Sequence, residues 1–219
     1  RRGPFSLFNL PYPAPVEVEE TQTMTDMSVT QILFRDAEQA DAREIAALYR
    51  LAAGGVADVI WDALKQPGED IIDAGARRYA REDADFSYQN CAIAECRGLP
   101  VGLLHAYPMH ADPDFDPASV DPVLRPYAEL EEDDSYYIAG IALKADYRRR
   151  GMGTKMLRLA ELRALTRGLA KLSLIAFEEN TDSVRLYERL GYRVTDSRDI
   201  VPHPLIRHDG RALLMVKTL

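Results

Sequence analysis

At 219 residues the chain is long enough for one domain with a sizeable core, or one domain and an appendage. With 47% hydrophobic and 28% charged residues it reads as soluble and globular; a formal charge of −8 argues against nucleic acid as the main partner, because phosphate backbones need a basic face. No apolar run approaches the roughly 18 residues that span a bilayer, so no membrane role is expected.

The N-terminus opens with Arg1 and Arg2 but lacks the apolar core of a secretory signal. Pro4, Pro11, Pro13 and Pro15, followed by Glu17, Glu19 and Glu20, predict an extended segment without its own core. Met24 and Met27 are candidate start positions. The expected boundary lies near Ser28, dividing an extension (1–28) from a folded domain (29–219). Residues 29–37 read as a first strand. From Asp41, Ile45, Leu48, Tyr49 and Ala52 fall at helical spacing, and Gly54-Gly55 breaks that helix. "VADVIWDAL" starts another with the single tryptophan, Trp61, either a core residue or the wall of a pocket. Cys91 to Glu95 and Val101 to Tyr107 form a hairpin turning at Arg97-Gly98. Cys91 and Cys96 stand at odd spacing on a strand, which points them to opposite faces and argues against a disulfide. Two cysteines without matched histidines make a poor metal site, and a reducing cytoplasm is the simplest setting. His105, within "VGLLHAY", reads as a core histidine.

Residues 108–134 form a long polar loop with nine carboxylates, among them Asp112, Asp114, Asp116, Glu132 and Asp134, against one base, Arg125. "SYYIAGIALKA" is an almost uncharged strand, as expected of one buried on both faces. An amphipathic helix with Met152, Met156, Ala160 and Ala164 runs to about Arg167, ended by Gly168. "AKLSLIAF" is another buried strand, a short helix spans about 182–190, and "YRVTD" and "ALLMVKTL" are two last strands. His203 and His208 sit in a proline-flanked loop without ligand spacing. The layout is α/β with a mixed sheet.

The strand at 135–145 and the helix after it are joined by "YRRRGMGTKM", a cluster of positive charge in an acidic chain. A helix N-terminus exposes unpaired backbone amides and the positive end of the helix dipole. Gly151 and Gly153 let an anion approach those amides, Arg148, Arg149 and Arg150 add charge, and Thr154 can offer a hydroxyl. That is the chemistry of a pyrophosphate site. A dinucleotide fingerprint would need a third glycine at Met156, and a P-loop needs Gly-x-x-x-x-Gly-Lys; neither is present.

Some 30 residues on, "ENTDSVRLYERLGY" places Asn180 before a helix, Tyr187 within it and Gly191-Tyr192 at its close. Together the two segments resemble the GNAT superfamily of acyl-CoA-dependent N-acyltransferases: the family's Gln/Arg-x-x-Gly-x-Gly/Ala motif matches Arg148 to Gly153, and its Asn…Leu-Tyr…Gly-Phe/Tyr segment matches Asn180, Leu186, Tyr187, Gly191 and Tyr192. The resemblance is firm over 136–196, looser back to Val29, and excludes the extension. It implies an α/β (α+β) fold: a mixed, mostly antiparallel sheet of six to seven strands, flanked by helices, with a central parallel pair. It also implies acetyl-CoA as cosubstrate, without a metal. The pyrophosphate would lie on the amides of Arg149, Arg150, Gly151, Met152, Gly153 and Thr154. The pantetheine would pair with Ile141, Ala142 and Leu143 and touch Asn180, with Tyr187 near the sulfur.

The chemistry implied is direct attack of an amine on the thioester. A backbone amide around Leu143 can stabilise the oxyanion, and Tyr187 can protonate the departing thiolate. Where some relatives carry a glutamate this chain has Tyr137, which leaves Glu132, Asp134, Tyr136 and His105 as candidate bases. The expected acceptor is a primary amine of a small molecule, cationic if the acidic loop steers it. A protein N-terminus or lysine, a non-catalytic acyl-CoA sensor, and a homodimer stay open as alternatives.

Overall fold

The computed structural model describes residues 31–219; the boundary expected near Ser28 lies outside them. Seven strands form one sheet: β1 (Ile32–Asp36), β2 (Cys91–Cys96), β3 (Leu99–Met109), β4 (Ser135–Leu143), β5 (Lys171–Phe177), β6 (Arg193–Asp199) and β7 (Arg211–Thr218). Their order is β1-β2-β3-β4-β5-β7-β6, antiparallel everywhere except between β4 and β5. The sheet is therefore mixed and mostly antiparallel, with its parallel pair at the centre, as the resemblance implied. The hairpin at Arg97-Gly98 turns where expected, both residues having positive φ.

Alternation along the strands divides the core. Ala92, Leu104, Ala106, Tyr136 and Ile138 face one side, where they meet Leu157, Ala160 and Ala164 of α5 (Met152–Thr166) and Tyr187 of α6 (Thr181–Arg189). Cys91, Ile93 and Leu103 face the other side, packed on α1 (Ala42–Ala52), α2 (Val56–Leu64) and α3 (Ile71–Tyr79). Cys91 and Cys96 are both free and buried, in different clusters, as their spacing predicts. Among the described residues no helix is long and apolar enough to cross a membrane.

The α3 helix was not expected, and its sequence explains why. Gly75 interrupts its apolar pattern, yet a Cβ there would meet the Trp61 ring at 2.6 Å, so glycine is required for close packing. The start is marked by Asp70, whose carboxylate accepts from the Ile72 N–H at 2.7 Å. Trp61 is thereby a core residue, 1% exposed, beside Tyr49 and Tyr79. The acidic loop also has more structure than expected, with a one-turn helix, α4 (Arg125–Ala128).

His105 is a fully buried core histidine with both ring nitrogens partnered. Its Nε2 lies 2.9 Å from the Asp85 carbonyl, which can only accept, so Nε2 carries the proton and Nδ1 accepts from the Tyr79 hydroxyl at 3.1 Å. Burial lowers its pKa from the ordinary value to about 4. A folded-state pKa below the unfolded one stabilises the fold above about pH 6.5, and that contribution is lost as pH falls towards about 4. Urea denaturation should lose about 2 kcal/mol of stability from this histidine between pH 7 and pH 5. His105→Gln should be less stable at pH 7 but show a flatter pH profile; equal slopes would show that His105 does not set the acid limb.

Candidate functional site

The parallel ladder between β4 and β5 is short: it joins Tyr136, Tyr137 and Ile138 to Leu172, Ser173 and Leu174 and stops there. The cause lies on the other edge of β4. His105 pairs with Gly140 but Ala106 pairs with Ile138, so Ala139 is an extra residue, a β-bulge. A bulge bends its strand and increases local twist, which turns the C-terminal half of β4 away from β5. Gly140 allows the bend to pack, since a Cβ there would lie 2.8 Å from the Tyr49 ring. Between the splayed strands opens a cleft of about 800 Å³, walled by residues 138–143 of β4 and 174–177 of β5.

One end of the cleft is the arginine–glycine turn. Arg149 and Gly151 both have positive φ, 58° and 76°, and a Cβ at Gly151 would meet nothing within 4 Å. Gly151 is thus demanded by backbone conformation and leaves the approach to α5 open. Gly153 answers to packing instead: a Cβ there would come 3.2 Å from Leu186 of α6. No side chain caps the N-terminus of α5, so its first amides face the cleft without partners from the helix. Arg148, Arg149, Gly151, Met152, Gly153 and Thr154 line the cleft; Arg150 is exposed beside the turn and outside the lining. Arg148 Nε donates to the Leu143 carbonyl at 2.9 Å and ties the turn to the end of β4.

The side walls carry the rest of the expected set. The Lys144 N–H donates to the Val101 carbonyl across the β3 edge, so the Leu143 N–H, one residue earlier, points to the opposite, cleft-side edge. Ile141 and Ala142 line the same wall. On α6, Asn180 accepts from the Ser183 N–H as an N-cap at 3.4 Å and also lines the cleft. Tyr187 lies on the same helix, 8% exposed, between the cleft and the Tyr192 ring. Burial pushes its phenol up to about 12, so it stays protonated across the neutral range.

The candidate bases are not brought to the cleft. Glu132 is tied to Lys171 at 2.5 Å, at the start of β5, where the two strands are still closed. Asp134 is exposed at a positive-φ turn, 3.3 Å from His110. Tyr136 is 1% exposed in the α5-facing core, under the Arg167 guanidinium. His105 is neutral and fully partnered within an aromatic cluster. Each sits before the bulge or away from the opening. The lining also includes residues that were not anticipated: Leu51 and Ala52 at the end of α1, Phe177, and Arg185 and Arg189 of α6. The last two were legible in principle, since a four-residue spacing puts them on one face of the helix that carries Tyr187.

The model of the acetyltransferase (GNAT) family matches residues 57–192, which span both walls and the turn. The chain belongs to the GNAT family. No curated protein matches it significantly. Among solved structures, this GNAT domain is similar to an N-acetyltransferase from Staphylococcus aureus Mu50 (20% identity, 84% of this chain and 99% of that one, TM-score 0.56). It is similar to a GNAT family acetyltransferase from Elizabethkingia anophelis with acetyl-CoA bound (18% identity, 86% and 98%, TM-score 0.51). It is also similar to a chain of the NatC complex bound to Gag peptide and CoA (17% identity, 86% and 99%, TM-score 0.52). At these identities the likeness shows the fold that this GNAT protein shares with them.

Proposed function

We propose that this GNAT protein transfers the acetyl group of acetyl-CoA to a primary amine of a small molecule by direct attack. The observation that carries the reading is the cleft itself: an uncapped helix N-terminus and arginines without carboxylate partners at one end, an unpaired strand edge along one wall, and a buried phenol on the other. In this reading the α5 amides and Arg148 to Arg150 hold the pyrophosphate, the edge of Ile141 to Leu143 pairs with the pantetheine, and Asn180 flanks it. The amine nitrogen bonds to the acetyl carbon, the carbon–sulfur bond breaks, and the Leu143 N–H steadies the charge developing on oxygen. With no expected carboxylate in the cleft, the amine loses its proton to water or reaches the site neutral.

Tyr187 offers its proton to the departing sulfur. A phenol near 12 does not give its proton outright to a thiolate whose conjugate acid lies at about 8.5; the transfer is uphill by about 5 kcal/mol. Its contribution is therefore a hydrogen bond that strengthens as charge builds on sulfur.

A small acceptor is favoured by the far flank of the cleft. The corner between α1 and α2 is in contact with the loop between β6 and β7: the Arg207 N–H donates to the Gly54 carbonyl at 2.8 Å, and a Cβ at Gly55 would lie 1.9 Å from the Leu205 carbonyl oxygen. The His208 ring stacks on Phe177 at 4.2 Å, above that same corner. Among the described residues these contacts join the two segments, which favours a compact acceptor over an extended peptide laid between them. The acidic loop approaches the same end, with Tyr127 against Phe177. A panel of amines and peptides with detection of released thiol tests the acceptor class; peptides alone supporting release would overturn it.

Gly151→Asp puts a side chain at φ 76°, which costs some stability, but aspartate tolerates the left-handed region better than most residues and its Cβ meets no atom, so the variant should still fold and its carboxylate should occupy the α5 amides. Calorimetry should show acetyl-CoA binding weakened by roughly 10–1000-fold. Unchanged affinity in the folded variant would remove the pyrophosphate site from this turn.

Tyr187→Phe keeps the ring packing and removes the hydroxyl. It should lower kcat by roughly 10–100-fold with acetyl-CoA affinity within a few-fold, when chemistry limits turnover. A near-normal kcat would leave the sulfur to be protonated by water.

Asp112 and Asp116 accept backbone N–H bonds from Asp114 and Ala118, which asparagine can also do. Replacing Asp112, Asp114 and Asp116 with asparagine should therefore preserve the loop while raising the KM of a cationic acceptor and flattening its salt dependence. An unchanged acceptor KM would assign the charge to solubility alone.

A further inference from the structure

A buried carboxylate stands beside the far flank of the cleft and takes no part in the chemistry above. Among the described residues Asp58 is the one buried Asp or Glu, 6% exposed, in the first turn of α2. Its Oδ1 accepts from Arg50 Nε of α1 at 2.5 Å, and its Oδ2 lies 3.6 Å from Arg207 Nη2 of the loop between β6 and β7. The same Arg207 nitrogen donates to the Arg50 carbonyl at 2.8 Å. One carboxylate thus clasps α1, α2 and a loop some 150 residues further along the chain. Taking a charge out of water costs free energy that pairing only offsets, so such a clasp is a poor means of stabilising a fold. It is better suited to holding one arrangement of the segments it joins.

The segments it joins are those that bound the cleft on the side away from the arginine–glycine turn. Arg50 is followed by Leu51 and Ala52, which line the cleft. Arg207 is followed by His208, whose ring stacks on Phe177, another lining residue, at 4.2 Å. Gly54, at the corner between α1 and α2, is so close to both rings that a Cβ would meet Phe177 at 2.4 Å and His208 at 2.8 Å. We infer that Asp58, through Arg50 and Arg207, is a positioning residue that sets the length of amine the cleft accepts. This rests on the small-amine reading above. With the clasp closed, corner and loop meet at Phe177 and the acceptor side has a fixed wall. With it broken, the loop can draw away from Gly54 and the wall recedes. Asp58 touches no substrate; it acts on the acceptor through Leu51, Ala52 and Phe177.

Two variants break the clasp from opposite sides. Arg207→Ala removes the side-chain contacts but keeps the backbone bond to Gly54, and its side chain is half exposed, so the variant should fold. Asp58→Asn removes the buried charge. Thiol release from acetyl-CoA is measured over a graded series of straight-chain primary amines and α,ω-diamines, with calorimetry of acetyl-CoA binding alongside. The unaltered protein should lose kcat/KM beyond a limiting length. Each variant should move the long-to-short ratio of kcat/KM towards long amines by roughly 10–100-fold, and the double variant no further, with acetyl-CoA affinity within a few-fold. Lys217→Gln breaks a partly buried pair with Glu161 outside the lining and controls for lost stability; it should keep the original ratio. No length limit in the unaltered protein, or an unchanged ratio in the folded clasp variants, would overturn the positioning role. So would the same shift in Lys217→Gln. Acetyl-CoA binding without thiol release for any amine of the series would instead overturn the small-amine reading.

Discussion

The site depends on one extra residue in one strand. Without the bulge at Ala139, β4 would run in register with both neighbours, its ladder to β5 would continue past Ile138, and the two strands would close over the space that is now the cleft. The bulge exchanges a few ladder hydrogen bonds for an unpaired strand edge inside the protein, an arrangement normally confined to sheet margins. Such an edge calls for a partner, and a ligand that carries amide groups along its length supplies one. The central parallel pair and the position of the opening thus follow from the same local irregularity.

The turn and the two helices beside the cleft build on that opening. Because β4 bends away, α5 begins at the mouth of the gap with its N-terminus aimed inward, and the left-handed conformations at Arg149 and Gly151 make the reversal. Gly153 then brings α5 within van der Waals reach of Leu186, which sets α6 against the same opening and carries Tyr187, Arg185 and Arg189 into the lining. Two glycines two residues apart therefore serve different ends: one permits a conformation, the other permits an approach. The arginine–glycine turn at one end of the cleft and Tyr187 on its α6 wall are thus brought to one opening, with the strand edge of residues 141–143 beside them.

The acidic loop shows how composition can mislead about availability. Its carboxylates look free in the sequence, yet Asp112, Asp116 and Asp121 accept backbone N–H groups within turns, Glu129 pairs with Arg198 and Glu132 with Lys171. Ion pairing of that kind uses a carboxylate for architecture and takes it out of consideration as a base. His105 makes the same point from the interior, since two hydrogen bonds and complete burial hold it neutral.

By itself the sequence determined the elements that local chemistry dictates: seven strands, the arginine–glycine turn and the helix after it, and the short helix of Tyr187. Strand alternation, helical spacing and glycine conformation act over a few residues and can be read from a few residues. The α3 helix escaped because Gly75 answers to Trp61, fourteen positions away in the chain and in contact only after folding. The exclusion of Glu132, Asp134 and Tyr136 from the cleft, and the entry of Arg185, Arg189 and Phe177 into it, belong to the tertiary structure for the same reason. A bulge is defined by the count of residues on the partner strand, β3, so which half of β4 is open could be decided only once the two strands were paired.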